Sequence, residues 1–358
     1  MAFFLKIYYF ILSIFSFGLF RPAQRNDSFN NSFSIIIAAK NEEKNINRLL
    51  DSLLKLNYPS HLYEIIVAND NSNDRTEAII RRYADSIKNL HLINISKQSG
   101  KLIGKKRALT QAIEIAQKQI LVFTDADCEI NQNWLCEINR HFTENTDFVA
   151  GYKELLYSNT FFSNLKNLEN SAFLAVVAGS IGLNIGLSCT ASNIAYRKTL
   201  FHKVNGFEGI GHIKSGDDDL MLQKMSKQIR NMQFMFSEAS IIKSYESKTT
   251  EEKIQTETRR GSKWKYYPLW VKMMTLFVFI FYFLVLLKAA KYLKRKKYSK
   301  FINLLILRSL PEFFLVGAFL YKLKRTKYLL SFPIAALLYI PYYIFFGLKG
   351  TFGKYRWK

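Results

Sequence analysis

The chain has 358 residues, with 51 Lys+Arg against 28 Asp+Glu and a formal charge of +23, a length that holds one ordinary globular domain plus further elements. So basic a balance points to nucleic acid or to an anionic membrane. The apolar residues crowd into runs at the two ends that no soluble core requires, which favours the membrane and sets nucleic acid aside. Cys128, Cys136 and Cys189 form no Cys-x-x-Cys or Cys/His cluster, so neither a disulfide framework nor a zinc site is suggested.

Phe3 to Phe20 is apolar except for Lys6, and a helix of that length rises about 27 Å, close to the hydrocarbon thickness. The chain continues as Arg21-Pro22-Ala23-Gln24-Arg25 without a small-x-small cleavage site. Residues 1–21 therefore read as an uncleaved anchor with its basic flank inside.

Residues 31–265 read as a soluble domain. Ser34-Ile35-Ile36-Ile37-Ala38-Ala39 has the continuous apolar character of a buried parallel strand. A helix is expected over Glu42–Leu56, then a strand at Ile65–Ala68 and a helix from Asp74, its cap, to Ala84. A strand at Leu90–Ile95, a helix over Leu102–Gln117 and a strand at Ile120–Thr124 complete the series. Strands alternating with helices predict an α/β, doubly wound, mostly parallel sheet, with ligands at the carboxyl ends of the strands.

Four polar clusters follow such ends. Ala38-Ala39-Lys40-Asn41-Glu42-Glu43 sets a lysine beside an expected helix start, which suits an anion or an ordinary capped turn. Asn69-Asp70-Asn71-Ser72-Asn73-Asp74 makes a tight loop in which one carboxylate can accept from a ribose or a base, although plain turns use the same residues. Thr124-Asp125-Ala126-Asp127 places two carboxylates after a buried strand, a pairing that suits Mg²⁺ or Mn²⁺ bridging a diphosphate. Ser215-Gly216-Asp217-Asp218-Asp219-Leu220 sets three adjacent acids at a helix start, where one can take a proton from an incoming hydroxyl. Gly100 to Lys106 fails as a phosphate loop, having Ser99 and Lys106 where Gly and Ser or Thr are needed.

The C-terminal stretch, 266–358, is membrane-like. Trp270–Leu287 and Tyr328–Leu348 are strong candidate helices. Phe301–Leu320 carries Arg308, Pro311 and Glu312 and reads either as a third crossing or as an interfacial or re-entrant helix. Between the metal-type and base-type acids, Ala172–Cys189 reads as a buried, glycine-rich segment lining an acceptor site, or as simple core.

In order and spacing these segments resemble the membrane-bound members of glycosyltransferase family 2, whose fold is GT-A. The resemblance implies a multi-pass protein of the cell membrane with its catalytic domain cytoplasmic. It implies an inverting transfer from a nucleotide-sugar donor, UDP-sugar first, to a lipid-linked or glycan acceptor. Ser34–Glu43 is similar to the opening strand and nucleotide site, which puts Ala39, Asn41 and Glu42 at the donor. Glu64–Asp74 resembles the segment Val-Asp-Asp-Gly-Ser-x-Asp, with Asp70 on the nucleoside and Asn69 in place of the first Asp. Gly104–Leu109 resembles a donor-side helix and carries Lys105. Asp125 and Asp127 inherit diphosphate and metal binding, with Mg²⁺ or Mn²⁺ as cofactor. Asp218 inherits the general-base role, with Asp217 next. Thr256–Trp264 resembles the Gln-x-x-Arg-Trp of processive relatives only through Arg259, which takes the donor-side arginine's place. A basic patch on anionic lipid is the other reading of Arg259, Arg260 and Lys263. The rival functions are a nucleotidyltransferase, which would place a glycine-rich loop after the first strand, and an inert membrane scaffold of the same fold.

Overall fold

The structure, a computed structural model, describes residues 1–28, 30–95, 102–157, 160–245 and 250–353. In chain order the elements are α1 (Ala2–Leu19), β1 (Phe33–Ala39), α2 (Ile46–Leu53), β2 (Tyr63–Asn69), α3 (Thr76–Ala84), β3 (Leu90–Asn94), α4 (Lys105–Ile115) and β4 (Ile120–Phe123). They continue with β5 (Cys128–Glu129), α5 (Trp134–His141), β6 (Phe148–Ala150), β7 (Lys153–Leu156), α6 (Thr160–Gly182), β8 (Ile194–Arg197), α7 (Lys198–Lys203), α8 (Asp219–Met225), β9 (Met232–Phe234) and β10 (Ile242–Tyr245). The last are α9 (Thr250–Ser262), α10 (Leu269–Lys294), α11 (Tyr298–Lys322) and α12 (Phe332–Phe352).

Two compact units result. Pro22–Leu156 with Asn184–Tyr245 form an α/β unit, and Met1–Arg21, Tyr157–Leu183 and Glu246–Lys358 form a helical unit. The stretch 31–265 thus contributes to both, because α6 packs with α1 and α9 with α12.

In the α/β unit the main sheet has the order β3-β2-β1-β4-β8-β6-β9, and a second sheet has the order β5-β10-β7. Strands β3, β2, β1 and β4 are mutually parallel. The fold is GT-A. Strand β8 runs antiparallel to both β4 and β6, so the doubly wound pattern ends at β4. Ile35, Ile36, Ile37, Ile65, Ile66 and Val67 are all fully buried, which is why these strands read as unbroken apolar runs. The register pairs Ala39 with Asn69 and Asn69 with Asn94, so the polar loops after β1 and β2 open at one edge of the sheet.

Two helices start later than their periodicity predicts. Asn41 adopts a left-handed φ of 55°, and the N–H groups of Glu42 and Glu43 donate to Thr76 Oγ1 and Asp74 Oδ2. Residues 42 and 43 are therefore held by the next loop, and α2 begins only at Ile46. Gly104, with φ 56° and ψ −137°, occupies a region open essentially to glycine alone, and α4 starts immediately after it.

In the helical unit, α1, α10, α11 and the stretch Thr326–Phe352 are long and apolar enough to cross a membrane. Two glycines of the segment expected to line an acceptor site make a helix contact, whereas Gly186 faces Ser226 and Leu222. A Cβ at Gly179 would lie 2.3 Å from the Phe15 carbonyl oxygen, and one at Gly182 would lie 1.9 Å from that of Gly18, so α1 and α6 meet backbone to backbone. Phe301–Leu320 falls within one unbroken helix, α11, although Pro311 lies inside it. Proline leaves the Leu307 carbonyl without its helical donor, and the Tyr9 hydroxyl of α1 donates to that oxygen at 2.5 Å. The Arg308 guanidinium, 1% exposed, pairs with Glu312 at 2.8 Å.

Candidate active site

The loops after β1 and β2 are laced together. The Asn41 N–H donates to Ser72 Oγ at 3.0 Å, and Asn41 Oδ1 accepts from the Asn73 N–H at 2.9 Å. The Ala39 carbonyl accepts from the Asp70 N–H at 2.8 Å. Glu42 accepts from the Asn45 side chain at 2.8 Å. Asn69, at the position of the family's first Asp, is buried and spends its amide on Asn94 and Glu77 and its oxygen on the Ser72 N–H. Its role here is to shape the turn. Asp70 is buried and receives the Arg107 guanidinium at 2.7 Å, with the Lys40 ammonium 3.9 Å away. Arg107 stands on the first turn of α4, two residues after Lys105.

Lys105 is the hinge of the site. Its ammonium lies 2.7 Å from Asp125 Oδ1 and 3.2 Å from Asp217 Oδ2. Burial alone would lower its pKa, but Asp125, Asp217 and Asp218 outweigh burial and raise it, so the group stays charged. Lys153, on β7, reaches the other oxygen of Asp125 at 3.6 Å and Asp127 Oδ1 at 3.9 Å. Asp127 also accepts from the Ser244 hydroxyl at 3.3 Å.

Ligand atoms of Asp125, Asp127 and Cys128 lie within 4.8 Å of one another. Burial pushes the Cys128 thiol up, so it remains protonated and donates toward Asp127 Oδ1 at 3.5 Å. The ligand set is then two carboxylates, hard oxygen donors that fit Mg²⁺ or Mn²⁺.

Gly216, at φ +82°, turns the chain into the acid run. Asp217 lines a cavity with room for about one water, shared with Lys105, Thr124, Ala191 and Tyr196. The buried Thr124 hydroxyl on that wall has no hydrogen-bond partner among the described residues. Asp218 caps α8: Oδ1 accepts from the Asp219 N–H at 2.7 Å and Oδ2 from the Ala191 N–H at 3.2 Å. The preceding loop is held by Lys106. Its buried ammonium donates to the carbonyls of Ile210, Ile213 and Ser215 at 2.7, 2.9 and 2.8 Å. Helix α4 thus aims Lys105 at the acids, Arg107 at Asp70, and Lys106 at the loop that delivers Asp217 and Asp218.

Of the residues singled out by sequence, Lys105, Asp125, Asp127, Asp217 and Asp218 form one electrostatic cluster. Ala39, Asn41, Glu42 and Asp70 form a second group, joined to the first through α4. Arg259 lies on the last turn of α9, in the helical unit. The Gly100–Lys106 stretch has its first two residues outside the described residues. Arg107 and Lys153 were not legible as site residues. Arg107 followed Lys105 and Lys106 in one basic run, and Lys153 sits in Gly151-Tyr152-Lys153-Glu154, which carries no motif.

Residues 34–204 match the profile of Glycosyl transferase family 2. This stretch resembles a glycosyltransferase family 2 domain. It is 27% identical over 192 residues to glycosyltransferase AglE of Haloferax volcanii, covering 52% of this chain and 58% of that protein. It is 35% identical over 105 residues to beta-monoglucosyldiacylglycerol synthase of Trichormus variabilis, covering 29% of this chain and 22% of that protein. The chain therefore spans little more than half the length of the first curated relative and about a fifth of the second. The fold is similar to that of mannosyltransferase PcManGT from Pyrobaculum calidifontis, solved in complex with GDP-Man and Mn²⁺. That likeness has a TM-score of 0.58 at 17% identity and covers 97% of this chain and 94% of that one.

Proposed function

We propose that this chain is an inverting glycosyltransferase that moves a sugar from a nucleotide-sugar donor to a hydroxyl of a lipid-linked or glycan acceptor at a membrane. The observation that carries this reading is the Lys105 ammonium bridging Asp125 and Asp217, which joins the metal-type acids to the base-type acids in one electrostatic cluster. PcManGT holds GDP-Man with Mn²⁺, and the curated relatives include a glycolipid synthase. Both support the same reaction class.

In this reading Asp125 and Asp127 hold a Mg²⁺ or Mn²⁺ ion, which when bound offsets negative charge on the departing nucleoside diphosphate. The loops at Ala39–Glu42 and Asp70 take the nucleoside. Asp218 accepts the proton of the acceptor hydroxyl as its oxygen attacks the anomeric carbon, with Asp217 beside it. The backbone N–H bonds from Ala191 and Asp219 orient the Asp218 carboxylate. Arg259, on α9, keeps the donor-side role that the sequence resemblance implies. The helical unit keeps the domain at the membrane, and the basic residues Arg21 and Arg25 after α1 favour the cytoplasmic face.

The test is a panel of UDP- and GDP-sugars, UDP-sugars first, offered to the full chain in detergent with and without Mn²⁺. Metal-dependent nucleotide release from at least one donor is expected. A protein that binds donors but releases nucleotide from none, with acceptor lipids present, would contradict the proposal.

A further inference from the structure

Asp125 is gripped from both sides. Lys105 holds Oδ1 from the start of α4, and Lys153 approaches Oδ2 from β7 while also facing Asp127. Lys153 belongs to the small sheet, where β10 separates β7 from β5. Its side chain is 15% exposed, so the ammonium reaches the acids from inside the unit. Lys153 is thus set against both carboxylates of the pair that a divalent cation would take. A nucleoside diphosphate arriving with that cation brings at least two more negative charges, which the carboxylates repel and the two ammonium groups attract.

We propose that Lys153 is a built-in counter-cation of the Asp125/Asp127 pair, which competes with a divalent metal for these carboxylates and serves the donor diphosphate once the metal has taken them. This rests on the reading of the cleft as a donor site. Lys153 then acts with opposite sign on the two ligands: it weakens binding of the metal alone and strengthens binding of nucleotide in the presence of metal. A lysine that merely supported the fold would shift both in the same direction.

The experiment measures free Mn²⁺ by electron paramagnetic resonance during titration of the full-length protein in detergent, without nucleotide. It then measures UDP and GDP binding by calorimetry at saturating Mn²⁺. Removing one positive charge about 4 Å from a carboxylate in a partly buried site is worth at least roughly fivefold in affinity. Lys153→Met is therefore expected to bind Mn²⁺ at least about fivefold more tightly and nucleotide about fivefold more weakly. Lys153→Arg, which keeps the charge, should return both toward wild type, and it guards against a misfolded Met variant. Unchanged or weaker Mn²⁺ binding in Lys153→Met overturns the inference, as does a shift of both ligands in one direction. Mn²⁺ binding indifferent to Asp127→Asn would remove the metal site itself, and the inference would fall with it.

Discussion

In the helical unit the Arg308 guanidinium donates to the Ala336 carbonyl at 2.9 Å and pairs with Glu312. Glu312 in turn accepts from the Tyr8 and Tyr282 hydroxyls. One cation meets one anion, and hydroxyls from α1 and α10 occupy the carboxylate. In the α/β unit Lys105 lies between Asp125 and Asp217, and Lys153 faces Asp125 and Asp127, so each ammonium is shared between two acids. A polar cluster that neutralises itself ties helices together, and removing one member leaves the other stranded. Acids that share their cations are the arrangement proposed above to receive a charged ligand. On that reading the same residue types serve architecture in one unit and chemistry in the other.

The sharpest way to break this comparison is to remove an acid from each unit. Asp218→Asn should lower turnover by about 10³-fold, in the range expected for loss of a general base, while donor binding measured by calorimetry persists. The same variant should leave the melting temperature within a few degrees of wild type.

Glu312→Gln should behave in the reverse way. Stranding Arg308 is expected to cost about 3–5 kcal/mol of stability, read as a lowered melting temperature in detergent. The double variant Arg308→Met with Glu312→Leu should recover most of that loss. If the double variant is as unstable as the single one, the pair is more than a helix tie.

Lys106→Met sharpens the comparison within the α/β unit. Three carbonyls lose a charged donor, at a cost of about 2–4 kcal/mol. Because these carbonyls belong to the loop before Asp217, kcat should fall as well, with faster hydrogen exchange in 206–218. Tyr9→Phe carries the smallest effect. It leaves the Leu307 carbonyl unpaired beside Pro311, at a cost of about 1 kcal/mol, seen as a drop of a few degrees in melting temperature without change in donor affinity.

Sequence legibility followed the range of the interactions. Strands β1, β2 and β4 could be read because burial on both faces leaves continuous apolar runs. The acid motifs could be read because each is local, two or three carboxylates within a few residues. The start of α2 could not, since its first residues are taken by Thr76 and Asp74, more than thirty positions away. Strand β8 is four residues long and follows the excursion through α6, so nothing nearby signals its reversed direction. Pro311 and Glu312 looked like obstacles to a membrane helix because their compensation comes from Tyr8 and Tyr9 at the other end of the chain. Lys153 was invisible for the same reason: its meaning lies in Asp125 and Asp127, which only the topology brings near.

The proposed donor site requires that Asp125 and Asp127 recruit a divalent cation together with a nucleoside diphosphate. Calorimetric titration of UDP and GDP into the wild-type chain and into Asp125→Asn with Asp127→Asn, each with and without Mn²⁺, tests it most directly. The account predicts nucleotide binding that strengthens at least about tenfold with Mn²⁺ in the wild type, an increment the substituted chain loses. Nucleotide binding of equal strength with and without Mn²⁺, or an increment that survives both substitutions, would contradict it.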